Sequence, residues 1–336
     1  MAALSDFRLL RPATAADAVR LRGEHPASRF IAGGTDLLPN MRRGLTTAEA
    51  LIDLGGIGEL SELRVEDDYL HVGAGVTLAA LAADPVAQAR LPALAQAAAS
   101  VAGPTHRSAA TVGGNLCLDT RCMYYNQSEP WRHAIDNCMK IAGDVCRVAT
   151  KSDRCWAAFS GDVAPALLAL DAEVLVQGPQ GQRRVAIADF YRDDGMAWLS
   201  LAADELLVSV RVPLSEGWVS AYEKIQVRGA IDFPLTGVAV ALRRDGDAIA
   251  AVRVACTGVS SRPELIGGLD ALAGKPFDDA ALALVEKQIK RGTQPMETTV
   301  INVSYRRRVT PVLAKRVLRK LWEAAAGSNQ AGIDFR

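Results

Sequence analysis

Four of the six cysteines in this chain, Cys122, Cys138, Cys146 and Cys155, crowd one polar stretch. Two glycine-rich loops precede it, Ala32-Gly33-Gly34-Thr35-Asp36 far upstream and Thr111-Val112-Gly113-Gly114-Asn115 close by. Thiolates ligate metals and iron–sulfur clusters. Glycine lets several backbone N–H groups approach a diphosphate together, and a following helix N-terminus adds partial positive charge. Gly33-Gly34-Thr35-Asp36, read as a strand-to-helix turn, meets those conditions. Gly113-Gly114-Asn115 offers a second set of donors from the other side. Neither loop is the GxGxxG of a dinucleotide fold or the GxxxxGK[ST] of a P-loop. Either Gly-Gly pair alone would suit a simple turn. Two such loops beside clustered thiols point to two redox centres on one polypeptide.

The cysteine spacing is C-x15-C-x7-C-x8-C. It is neither the paired CxxC of zinc ribbons nor the compact CxxCxxC of bacterial ferredoxins. Dispersed thiolates can hold a [4Fe–4S] cube, while a four-cysteine zinc site or unligated thiols satisfy the same spacing. Cys117 lies inside the second glycine motif and reads as a small packing residue. Cys256 lies in a strand-like run and reads as a core cysteine.

The elements that must position these groups alternate irregularly, which points to an α+β chain. Thr14 reads as the N-cap of a helix through Leu21, followed by a strand at 28–32, a short helix at 36–43 and a strand at 50–54. A strand at 69–76 precedes Ala-rich helices at 77–83 and 92–102. A helix at 163–170 and strands at 173–177 and 206–212 follow. A boundary falls near Pro213–Gly217, so the units are 1–55, 56–215 and 216–330. Strands at 238–243 and 249–257 lead to two closing helices. The last starts at Thr310 as N-cap with Pro311 at N1, buries Leu313, Val317, Leu318 and Leu321 on one face, and ends at Gly327. Between these elements, residues 119–159 show little apolar periodicity. A long loop without its own core is usually functional, and a metal centre is the simplest thing to order it.

Thirty-eight Lys and Arg balance thirty-eight Asp and Glu, which argues against a nucleic-acid partner. The first residues lack the basic and apolar regions of a secretory signal, and no apolar run approaches the ~20 residues of a membrane span. A soluble, cytoplasmic protein is expected, whose cysteines are thiols or metal ligands. His25, His71, His106 and His133 are scattered, and His133 reads as a surface residue near the cysteines. Arg306-Arg307-Arg308 reads as a solvated face. Tyr124 and Tyr125 either anchor the cysteine stretch or pack between the two centres. No Ser-His-Asp or HExxH pattern appears, so no catalytic residue is assigned.

Ile31-Ala-Gly-Gly-Thr-Asp-Leu37 and Ala110-Thr-Val-Gly-Gly-Asn-Leu116 resemble the two flavin-binding motifs of the FAD subunits in the xanthine dehydrogenase and carbon monoxide dehydrogenase family. Ser160-Gly161-Asp162 looks like the Ser/Asp step that follows there. Lys224, in Ala221-Tyr-Glu-Lys-Ile, matches a flavin-contacting lysine placed after the last strand of the middle region. The resemblance spans nearly the whole chain. It implies an α+β, vanillyl-alcohol-oxidase-type fold in which two subdomains clasp an extended FAD and a C-terminal α+β domain follows. The implied FAD contacts are Arg29, Phe30, Ile31, Ala32, Gly33, Gly34, Thr35 and Asp36, then Val101, Thr111, Gly113, Gly114, Asn115, Asp162, Leu206 and Lys224. Val101 and Leu206 suit plain core packing equally well.

In the family only a handful of residues separate the Gly-Gly-Asn motif from the later Asp, whereas Asn115 and Asp162 stand 47 positions apart. Residues 119–159 therefore read as an insertion. One branch, the 4-hydroxybenzoyl-CoA reductases, resembles this arrangement, with a [4Fe–4S] cluster in a cysteine-bearing insertion. Cys122, Cys138, Cys146 and Cys155 would be the ligands. The resemblance further implies a molybdopterin-bearing large subunit, a small [2Fe–2S] subunit, and a dimer of such heterotrimers. Electrons from ferredoxin would enter at [4Fe–4S], then pass through FAD and [2Fe–2S] to molybdenum, where 4-hydroxybenzoyl-CoA becomes benzoyl-CoA. The competing expectation is an oxidative member that passes electrons out to NAD, its insertion a zinc-stapled structural site.

Overall fold

The computed structural model describes residues 4 and 6–327; residues 328–330, the end of the C-terminal unit read from sequence, lie outside the described residues. Three sheets organise the chain. The first is parallel, in the order β1 (Arg8–Leu10), β3 (Ala50–Asp53), β2 (Ser28–Ile31). Parallel strands need crossovers. Helix α1 (Ala15–Glu24) supplies the first and α2 (Leu37–Arg42) the second. Thr14 caps α1, its hydroxyl accepting the Asp17 N–H at 3.1 Å. Ala15, Ala18, Val19 and Ile52 form a core with Leu206 and Val208 from the next unit.

The second sheet is antiparallel, in the order β4 (Leu63–Glu66), β5 (Tyr69–Gly73), β8 (Leu206–Pro213), β6 (Glu173–Gly178), β7 (Gly181–Ala186). The central strand β8 serves two cores. Leu206 and Val208 face the N-terminal unit, while Leu207, Val210 and Val212 join the main core. Leu207 and Val210 sit three apart, which breaks strict alternation. The β6–β8 register shifts at Leu175/Val176, and a bulge of this kind re-aims side chains. The main core is closed by α3 (Leu78–Ala83), α4 (Pro85–Arg90), α5 (Pro92–Ser100), α7 (Val112–Leu116) and α9 (Val163–Ala169), while the short α6 (Pro104–Arg107) buries no side chain. Between α7 and α9 the insertion contributes one short helix, α8 (Glu129–Ala134).

The third sheet, also antiparallel, runs β12 (Glu264–Leu265), β11 (Ala248–Thr257), β10 (Thr236–Asp245), β9 (Trp218–Ile225). In β10 the period of two is explicit. Val238, Val240 and Leu242 face a core shared with α10 (Asp279–Gly292) and α11 (Val303–Gly327). Ala239 and Ala241 face the main core, where small residues let α9 approach. Mixed helices and strands in this arrangement match the expected α+β class.

Two sequence readings are corrected. The closing helix starts at Val303, so Thr310 and Pro311 lie inside it. Thr310 is a buried residue whose hydroxyl donates to the Arg306 carbonyl at 2.7 Å. Arg306 belongs to no solvated face. It is 1% exposed, donating from Nη1 to the Gly258 carbonyl at 2.9 Å and from Nη2 to the Met296 carbonyl. Burial lowers its pKa to about 10. Lys224 does come after β8, the last strand of the middle sheet in chain order, and lies within β9 of the third sheet. Among the described residues, no helix is long and apolar enough to cross a membrane.

Candidate functional site

The two glycine loops meet. Gly33 presses against the second loop, since a Cβ there would stand 1.8 Å from the Ala109 carbonyl oxygen. Gly34 has φ +68°, a left-handed turn that favours glycine. Backbone geometry aims this turn at the start of α2. The N–H groups of Gly33, Gly34, Thr35 and Asp36 have no hydrogen-bond partner among the described residues. A row of free donors ahead of a helix is what an extended diphosphate requires.

The second loop differs from its expected role as a donor set. The Gly113 N–H donates to the Ala74 carbonyl at 2.8 Å, Asn115 N–H to the Thr111 carbonyl at 3.0 Å, and Gly114 N–H to the Thr111 hydroxyl at 3.1 Å. Its glycines serve close packing instead: a Cβ on Gly113 would lie 2.8 Å from the Ala74 Cβ. Asn115 is buried, and its side-chain oxygen accepts the Val163 N–H at 3.1 Å at the start of α9. The loop thus fixes the wall against which the first loop rests.

Asp162 and Lys224 come together from distant units. Lys224 Nζ lies 3.1 Å from Asp162 Oδ1, both side chains about 5% exposed or less. Tyr222 donates its hydroxyl to the same oxygen at 2.7 Å, and Ser100 approaches it at 3.4 Å. Burial pushes the Asp162 carboxyl up, opposed by the Lys224 ammonium and these hydrogen bonds. Tyr222 is a functional neighbour that sequence reading missed, although two residues before Lys224 on one strand is the same face. Leu206 is core-packed, and Val101 caps α5 half-buried. Arg29 is exposed and Phe30 half-buried on β2, at the approach to the first loop.

The insertion returns to its own stem. At its neck Arg121 and Ala158 exchange backbone hydrogen bonds of 2.9 and 2.7 Å. Phe159 N–H then donates to the Ser260 carbonyl at 3.0 Å, joining the stem to the C-terminal unit. Inside the loop Cys122, Cys138, Cys146 and Cys155 are all buried and line one cavity with Tyr124, Tyr125, Lys140 and Arg147. All four are free thiols. Three receive backbone N–H groups at 3.4 Å: Cys122 from Tyr125, Cys146 from Trp156, Cys155 from Ala157. The Cys155 thiol holds Cys146 well below the usual thiol range and is itself pushed up by that pairing and by burial, as burial also pushes Cys122 up. Such N–H donors and an adjacent cation favour anionic sulfur, so the donor set fits an iron–sulfur cluster. Among the described residues no three His, Cys, Asp or Glu side chains converge as a single bound metal ion requires.

Tyr125 anchors the insertion, its hydroxyl donating toward Asp119 Oδ2 at 3.1 Å and lying 3.4 Å from the Leu45 carbonyl. Tyr124 packs toward Trp131, ring centroids 6.4 Å apart. Cys117 and Cys256 stay apart from the cavity; burial pushes the Cys117 thiol up to about 12 and Cys256 further. His133 is exposed beside Glu129, at 3.7 Å. Arg121 links the insertion and the first glycine loop, with Nη2 3.4 Å from Asp36 Oδ1.

Residues 5–215 match the FAD binding domain in molybdopterin dehydrogenase, and residues 220–321 the CO dehydrogenase flavoprotein C-terminal domain. The chain is 34% identical to the aldehyde oxidoreductase FAD-binding subunit of Escherichia coli over 79% of this chain and 85% of that one. It is 29% identical to the carbon monoxide dehydrogenase medium chain of Hydrogenophaga pseudoflava over 95% of this chain and 98% of that one. A solved structure of carbon monoxide dehydrogenase from Hydrogenophaga pseudoflava superposes with a TM-score of 0.79 at 26% identity, covering 96% of this chain and 99% of that one.

Proposed function

Because the chain belongs to the FAD-binding subunit family of the molybdopterin dehydrogenases, and so is a flavoprotein subunit of a molybdenum-hydroxylase-type oxidoreductase, we propose that it carries FAD and a [4Fe–4S] cluster together as an electron-transfer subunit. The observation that carries this reading is the cysteine pocket, with four buried thiols on one cavity, three of them receiving N–H groups. Flavin and an iron–sulfur cube supply electron exchange when bound. The residues here hold and tune them. The free N–H groups of Gly33, Gly34, Thr35 and Asp36 receive the diphosphate of FAD. Asp162, Tyr222 and Lys224 form a dry polar group that fixes the junction behind it. Cys122, Cys138, Cys146 and Cys155 ligate the cluster.

The reading extends to the whole assembly. A large molybdopterin-bearing subunit and a small [2Fe–2S] subunit are its partners in a cytoplasmic dimer of heterotrimers. Ferredoxin is the electron donor, and 4-hydroxybenzoyl-CoA is dehydroxylated to benzoyl-CoA on the large subunit. The cysteine insertion, which resembles that of the 4-hydroxybenzoyl-CoA reductases, supports this direction. The dehydrogenase relatives favour a second reading, in which electrons leave through FAD to NAD and the insertion is structural. Iron, acid-labile sulfide, zinc and flavin analysis of anaerobically purified protein separates them. About four irons and four sulfides per FAD are expected, lost in each single Cys→Ser variant while FAD stays. Zinc without sulfide, with NAD reduced by the holoenzyme, overturns the proposal.

A further inference from the structure

We infer that Lys140 is a fixed counter-cation of the cysteine pocket and raises the reduction potential of the centre those cysteines hold. This rests on the cluster reading above, but its own observation is separate. Removing an ammonium from water costs several kcal/mol unless its donors are filled. The Lys140 side chain is only 7% exposed, and its position is over-determined. Nζ donates to Asp119 Oδ1 at 2.7 Å, to the Thr120 and Gly195 carbonyls at 2.8 Å each, and contacts the Thr120 hydroxyl. The rings of Tyr125 and Trp198 flank it, each with its centroid 4.8 Å away. A cation accepted by aromatic faces as well as oxygens is held in place rather than swinging to solvent.

Lys140 lies on the cavity wall that the four cysteines share. Its counter-charge, Asp119, is not among the residues lining that cavity. Asp119 also faces Arg121, Nε to Oδ2 at 3.7 Å, and Arg121 faces Asp36 of the first glycine loop. The charges therefore alternate from the pocket to the flavin loop, Lys140, Asp119, Arg121, Asp36, with the positive end at the sulfurs. Arg147, the other cation on the cavity, turns its Nε to the Asn137 carbonyl at 2.8 Å. Lys140 is not needed to close the insertion, because the Arg121–Ala158 hydrogen bonds do that. An added electron on a thiolate-ligated centre is stabilised by a nearby fixed positive charge. Lys140 thus acts through the ligands as a positioning residue.

The test is an EPR-monitored redox titration of the holoenzyme after iron and sulfide assay. Lys140→Gln should shift the cluster equilibrium about tenfold toward the oxidised form, ~59 mV for one electron. Lys140→Arg should restore it, and Asp119→Asn should shift it the opposite way. Opposite signs in the two neutral variants are what a purely structural role cannot give. Equal potentials in the wild type, Lys140→Gln and Asp119→Asn overturn the inference. If Lys140→Gln fails to retain iron, Asp119→Asn decides alone, and no upward shift overturns it. Wild-type protein without iron and sulfide sinks the cluster reading itself, and this inference with it.

Discussion

At the scale of the residue, two positions show how narrowly the site is set. Gly33 has no room for a methyl group, with the Ala109 carbonyl oxygen 1.8 Å from where its Cβ would be. Gly33→Ala should drive the loops apart and weaken FAD retention at least about tenfold, or ~1.4 kcal/mol. Gly56→Ala, with open space at its Cβ, is the control. Flavin absorbance per protein after gel filtration reads both. Lys224→Met tests the buried ion pair. It leaves the Asp162 carboxylate without its cation, a change that costs ~3–5 kcal/mol. Burial already raises Asp162 above its unfolded pKa. Its ionisation therefore opposes folding, a penalty absent below the unfolded value and growing as pH rises above it. Loss of Lys224 enlarges that penalty, so the variant's deficit in urea unfolding should be smaller at pH 5 than at pH 7.5.

At the scale of the element, local signals located most strands and helices, and they failed where tertiary contacts overrode them. Thr14 announced α1 correctly because its cap is a local interaction. Thr310-Pro311 carried the same kind of signal and misled, because α11 begins at Val303. What sustains its first turns is long-range: Arg306 reaches the Gly258 and Met296 carbonyls. Nothing in three consecutive arginines says which one is buried. Arg306→Met should leave both carbonyls unpaired and cost ~2–4 kcal/mol in chemical denaturation. Arg307→Ala, at an exposed position, should stay within ~0.5 kcal/mol. The glycine loops were legible because glycine leaves a mark in sequence. Their division of labour was not, since the donors of the second loop are used by Ala74 and Thr111. Lys140 was passed over for a similar reason: its oxygen partners lie at 119–120 and 195.

At the scale of the whole molecule, the insertion has a stem of its own, although Tyr125, Arg132 and Lys140 tie it to the Leu45, Gly44 and Gly195 carbonyls, whereas the units of the scaffold share their cores. Residues 122–157 leave and return through the paired Arg121 and Ala158. Replacing them with a short glycine linker should give a folded chain that keeps FAD by absorbance and lacks iron and sulfide. Loss of FAD together with iron would show that the two sites depend on each other. The scaffold is bound otherwise. Asp162 precedes the last two residues it needs, Tyr222 and Lys224, by about sixty positions of chain. During synthesis the first two sheets therefore leave the ribosome with this carboxylate still open to water. The dry polar group forms only once β9 has emerged, and the strand is held there by β10, which comes later still. A chain ending before residue 236 lacks β10 and should leave the strand that carries Tyr222 and Lys224 unpaired, and flavin absorbance of that truncation against the full chain checks whether the buried polar group is needed to keep FAD.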